Sequence, residues 1–168
     1  GKFSAVVEDN IREKGKLYNI RYLVTGSRFH YTKDAFYTNF VPIVQFRFRD
    51  ENLRVNKNEF IQLRQVYVNR EKSEFTTDGN TENYNIFNIK YGNYQSEGTK
   101  HFSILNDLQI SSSFGKVATE VHYRKLFENN RQISLRFFAG AFMFRSTNSD
   151  FFSFGLDRPN DYMFDYNL

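Results

Sequence analysis

The chain has 168 residues, enough for one compact domain, and its net charge of +4 comes from Lys and Arg interspersed with Asp and Glu, so no basic tract marks a nucleic-acid surface. It holds no cysteine, which excludes a disulfide framework and thiolate chemistry, and no apolar run approaches the ~20 residues of a membrane-spanning helix. Twenty Phe and eleven Tyr against two Pro favour pleated surfaces over helices.

Residues 1–16, "GKFSAVVEDNIREKGK", hold one short apolar cluster before a charged run and read as a lead-in or partial strand. From residue 17 onward apolar and polar residues alternate with period two. Tyr18, Ile20, Tyr22 and Val24 oppose Asn19, Arg21 and Thr25; Phe40, Pro42, Val44, Phe46 and Phe48 oppose Gln45, Arg47 and Arg49. Ile61, Leu63 and Tyr67 oppose Gln62 and Arg64, and Phe87, Ile89 and Tyr91 oppose Asn88 and Lys90. "FSILNDLQISSSF" reads as one unbroken strand, with Phe102, Ile104, Leu108, Ile110 and Phe114 opposite Ser103, Asp107, Gln109, Ser111 and Ser113. Val117, Val121 and Tyr123 oppose Glu120, His122 and Arg124; Ile133, Leu135 and Phe137 oppose Gln132, Ser134 and Arg136. Gln65 and Asn106 interrupt apolar faces, Leu105 interrupts a polar one, and Pro42, which cannot donate to a ladder, marks an edge or a bulge.

The connectors, among them "DENLRVNKN", "EKSEFTTDGNTEN", "NYQSEGTK", "SFGK" and "ENNR", are rich in turn residues and leave little room for crossover helices. The expected fold is all-β: an antiparallel up-and-down meander of about seven or eight long strands over residues 17–168, forming part or all of a transmembrane β-barrel. Length supports lipid as the apolar neighbour. Twelve positions from Phe102 to Phe114 span roughly 40 Å of strand, or ~28 Å along a membrane normal at ~45° tilt. That matches an apolar band ~25 Å tall.

On this reading Phe46, Phe87, Ile89, Phe102, Leu108, Ile110, Phe114, Val121, Tyr123, Ile133, Leu135 and Phe137 face lipid. Arg21, Arg47, Arg64, Asn88, Lys90, Asp107, Gln109, Glu120, His122, Arg124 and Arg136 face a polar lumen. Phe138, Phe142 and Phe144 then point inward, and the loop "STNSDFFSFGLDRPND" is expected to fold over the barrel mouth and cover them.

The segments "FIQLRQVYVNRE", "HFSILNDLQISSSFGKVATEVHYRKLFENNRQISLRFFAGAFMFRS" and "DFFSFGLDRPNDYMFDYN" resemble outer-membrane β-barrels of Gram-negative bacteria. Residues 131–166 are more narrowly similar to the barrel-like region that follows a gluzincin-type aminopeptidase module in some large bacterial surface proteins. The resemblance implies a bacterial outer-membrane location. The family's His-Glu-x-x-His signature is missing after His30, His101 and His122, so no peptidase residue carries over and any catalytic module is expected outside this chain. The ending "DYNL", without a terminal Phe, fits a fragment of a larger barrel.

His122 between Glu120 and Arg124 superficially resembles an acid–base cluster, but neither a third orienting group nor a pocket is visible, and a self-neutralising interior network is the simpler reading. The Arg-rich faces line a path for anions or, more simply, pair with Asp107 and Glu120 across neighbouring strands. Three isolated His give no metal spacing, and no cofactor motif is present. The expected function is anchoring, display or transport by an outer-membrane β-barrel segment with no chemistry of its own. Its partners would be membrane lipid and the rest of the same polypeptide or barrel, with no nucleic acid. The alternative is a soluble β-barrel or β-sandwich that binds an apolar or sugar ligand.

Overall fold

Alternation resolves into eight strands: β1 (Lys2–Asn10), β2 (Leu17–His30), β3 (Phe36–Phe48), β4 (Asn56–Arg70), β5 (Glu82–Glu97), β6 (Lys100–Ser111), β7 (Phe114–Leu126) and β8 (Gln132–Arg145). The structure, a computed structural model, describes residues 1–11, 15–30, 33–49, 56–72 and 82–146. All eight strands lie in one sheet in chain order, each antiparallel to its neighbours. The sheet is open. β1 contacts only β2 and β8 only β7, so no barrel is closed.

Several expectations change in detail. The lead-in is a full strand: β1 pairs with β2 from Lys2↔Ser27 to Asn10↔Asn19. Residues 102–114 are not one strand, because a turn at Ser112–Ser113 folds them into the β6–β7 hairpin. The strands are nonetheless long, up to 16 residues in β5, against the ~5–6 usual in soluble sheets. "NYQSEGTK" is mostly strand, with only Gly98 and Thr99 forming the turn, and Gly98 takes the left-handed φ of 54° that suits glycine. The loop expected to cover the barrel mouth falls almost wholly within 147–168, outside the described residues.

Pro42 sits at neither an edge nor a bulge. β3 lies inside the sheet; its ladder to β2 runs through Val24↔Pro42, while the ladder to β4 stops at Phe40↔Tyr67 and resumes at Ile43↔Arg64 in the same register. The missing proline N–H therefore costs a gap in one ladder and no shift in register.

Three glycines face aromatic rings directly across a ladder, Gly26 opposite Phe3 among them. A side chain at Gly92 would stand 2.5 Å from the ring of Phe60, and one at Gly115 would stand 2.6 Å from Phe144, at the β7–β8 irregularity. A ring laid over a bare backbone restores the packing that glycine gives up in a strand.

The two faces of the sheet differ in burial. One, the inner face, holds a cluster of Tyr37, Val41, Val66, Val68, Ile86 and Phe114 near the β6–β7 turn, with Phe29, Ile43, Tyr84 and Phe142 packed against it. The other, the outer face, has no covering layer among the described residues.

Candidate functional site: a polar inner face behind an apolar outer face

Register decides which side chains share a face. One row crosses the whole sheet: Val7, Tyr22, Val44, Leu63, Ile89, Leu108, Val117 and Ala141 stand opposite one another in turn. Every member is apolar or aromatic, and directly opposed side chains contact one another. Phe46, Phe87, Ile89, Phe102, Leu108, Ile110, Val121, Tyr123, Ile133, Leu135 and Phe137 all lie on this outer face. Phe114 does not. It is 1% exposed and belongs to the inner cluster. A two-residue turn makes residues i and 225 − i partners, so odd positions point outward on β7 where even ones do on β6.

The outer face is exposed as well as apolar, with Leu135 at 60% and Phe137 at 63%. At ~150–200 Å² per large side chain, the exposed fractions on this face total on the order of 1,000 Å², against ~300–600 Å² for the largest patch of an ordinary soluble monomer.

Polar residues within the apolar field partner one another. Thr119 Oγ1 donates to Asn106 Oδ1 at 2.8 Å across β6–β7, and Gln65 Nε2 donates to Asn85 Oδ1. At the foot of β4 and β5 the outer face turns polar: Tyr91 donates to Glu59 Oε1 at 3.0 Å, and Glu59 pairs with Lys57 at 3.0 Å. At the level of Glu59 and Asn93, however, β6–β8 still present Ile104, Val121 and Phe137. The apolar belt therefore runs diagonally across the strands.

The eleven polar residues read from the sequence as lumen-facing share one face of the open sheet, the inner one, and most of them are gathered into groups. Arg64 Nε donates to Asn88 Oδ1 at 3.1 Å, Asn88 Nδ2 donates to Asp107 Oδ1 at 2.6 Å, and Lys90 lies 3.5 Å from Asp107 Oδ2. Asn88, at the centre of this half-buried ladder, has no exposed surface and also donates to the Leu108 carbonyl. Nearby, Gln109 is buried as well. Glu120 Oε1 meets His122 Nε2 at 2.7 Å and accepts from Arg136 Nε at 2.5 Å, so its main cation comes from β8. Arg21 pairs with Glu8 at 3.1 Å, and Arg47 bonds Gln45 on its own strand. Asp107 takes a lysine as its ion-pair partner.

A cavity of about 610 Å³ opens on the inner face near the β5–β6 turn, lined among others by Tyr94, His101, Leu105, His122 and Arg124. The sequence reading missed it. His101 becomes part of it because the tight Gly98–Thr99 turn lets Ser96 Oγ reach His101 Nδ1 at 2.9 Å; glycine as the first of two central residues between alternating runs is the signal that marks such a turn. Among the described residues no three His, Asp or Glu converge as metal ligands would.

Comparison of the chain with protein-family models, with curated proteins and with solved structures gives no match in any of the three.

Proposed function

We propose that this chain forms part of the wall of a β-barrel in a bacterial outer membrane, with its outer face in lipid and its inner face toward a polar lumen. The reading rests on one observation: the outer face is apolar and open, while polar side chains are buried on the inner face beside its apolar cluster. Asn19, Asn39, Asn88, Gln109 and Lys116 are buried, while Val7, Ile133, Leu135 and Phe137 are open. In water such an arrangement forfeits the main driving force of folding, whereas in hydrocarbon the outer face is solvated by tails of its own kind. Two further features agree. The strands are long enough to cross a bilayer at a tilt, and the diagonal of the belt is what tilted strands produce when they cross a flat slab.

The open edges at β1 and β8 would be completed by further strands of the same polypeptide or barrel, since an unpaired edge is not tolerated in hydrocarbon. The job is anchoring, display or passage of a solute. The similarity of residues 131–166 to aminopeptidase-associated barrels favours anchoring.

The chain contains no Trp, so single tryptophans report their own surroundings. Leu135→Trp and Ile133→Trp, reconstituted into vesicles containing brominated lipid, should be strongly quenched; Ser134→Trp and Arg136→Trp, on the inner face, should not. Equal quenching at all four sites, or a monomer soluble without detergent, overturns the proposal in favour of a soluble β-sheet binding module.

A further inference from the structure

We infer that the inner-face cavity beside the β5–β6 turn binds a small organic anion, holding its charged head on Arg124 and His101 and its apolar body on Tyr94 and Leu105. This rests on the inner face being turned away from lipid.

The cationic side follows from pairing. Glu8, Asp107 and Glu120 each already hold a cation: Arg21, Lys90 and Arg136 respectively. Arg124 has no ion-pair partner among the described residues, and it lines the cavity. His101 stands directly opposite Arg124 across β6–β7, and its Nδ1 is engaged by Ser96 Oγ, which turns Nε2 toward other partners. A guanidinium and an imidazole side by side, with the carboxylate that lines the cavity, Glu120, already shared by Arg136 and His122, make a receptor for a carboxylate or similar anion.

The apolar side follows from the break in the polar pattern. Leu105 is an apolar residue on the polar face, opposite Gly92, over which the Phe60 ring lies, so the apolar surface of Leu105 continues into aromatic rings. The Tyr94 ring stacks on Phe60 with centroids 6.2 Å apart and planes 14° apart, which fixes it as a wall. A cavity of about 610 Å³ accommodates a small ring or short chain, within the ~300–1,000 Å³ usual for ligand sites.

The test uses the full chain folded in detergent micelles and titrated at equilibrium with benzoate, benzyl alcohol and inorganic phosphate. Benzoate should bind at least about tenfold more tightly than benzyl alcohol, which keeps the ring without the charge, and more tightly than phosphate, which keeps charge without the ring. Arg124→Gln should weaken benzoate about tenfold and leave benzyl alcohol unchanged. Absent binding of benzoate to the folded chain, equal affinity for benzoate and benzyl alcohol, phosphate as tight as benzoate, or an Arg124→Gln variant that binds normally each overturns the site. Lipid quenching at Leu135→Trp reads membrane embedding separately, so failure of the site is distinguishable from failure of the barrel reading.

Discussion

Phe60 and Gly92 face each other directly across β4 and β5, and the phenyl ring fills the space a side chain at position 92 would need. The Tyr94 ring lies nearly parallel to it, with centroids 6.2 Å apart. Gly92→Ala should therefore destabilise the sheet by about 1–3 kcal/mol, the usual cost of forcing a methyl into an occupied site. In a Phe60→Ala background the same change should cost almost nothing. Unfolding midpoints of the four variants in detergent, read as a double-mutant cycle, check this coupling.

Phe114 and Phe102 provide a second contrast, because the two rings have the same chemistry and opposite surroundings. Phe114 is 1% exposed within the inner cluster, whereas Phe102 is 39% exposed on the outer face. Phe114→Ala is expected to cost about 3–5 kcal/mol through lost contacts and a residual cavity. Phe102→Ala should cost less than half as much. Denaturant unfolding of both variants in the same detergent makes the comparison, and similar losses would mean that Phe102 is as enclosed as Phe114.

The same pair shows how far the sequence carries. Period-two alternation is legible because each outer row is continuous across strands, as Val7 through Ala141 demonstrate, and a slip of one residue would turn a strand's apolar set to the wrong face. What hid was the turn at Ser112–Ser113. Serine suits a strand's polar positions as well as a turn, so "ISSSF" kept its rhythm while the chain reversed and carried Phe114 inward. The strand ends were hidden for a similar reason. Asn93 and Gln95 look like loop residues, yet Gln95 Nε2 donates to Asn93 Oδ1 at 3.2 Å and both stay in β5. The cavity was invisible because it depends on which residues oppose one another: Leu105 with Gly92, and His101 with Arg124.

Asn88 joins three strands through its amide: it accepts from Arg64, and it donates to Asp107 and to the Leu108 carbonyl. Replacing it with leucine keeps the volume close but removes every one of those bonds and leaves a carboxylate and a guanidinium partly buried without it. The expected loss is about 2–4 kcal/mol, since stranding buried polar groups costs more than the bonds themselves return. Gaining an apolar side chain at a fully buried position would ordinarily stabilise a soluble core. A more stable Asn88→Leu variant in urea titration would show that the inner face is such a core.

The Asn106–Thr119 pair makes the sharpest demand on the proposed surroundings, because it lies on the outer face within the apolar belt. In hydrocarbon neither side chain finds water, so the 2.8 Å bond between them is what satisfies the Thr119 hydroxyl proton and the Asn106 carbonyl oxygen. Thr119→Val removes the donor, strands the Asn106 carbonyl oxygen and should cost about 1 kcal/mol in vesicles. Asn106→Leu with Thr119→Val removes both partners together, leaves nothing unsatisfied, and should be at least as stable as the parent chain. If water bathes this face, the order reverses. Thr119→Val then costs little because solvent replaces the hydroxyl, and the double variant only adds to an exposed apolar surface. Stability in vesicles across the three chains therefore reads the solvent of the outer face directly, without relying on any probe attached to it.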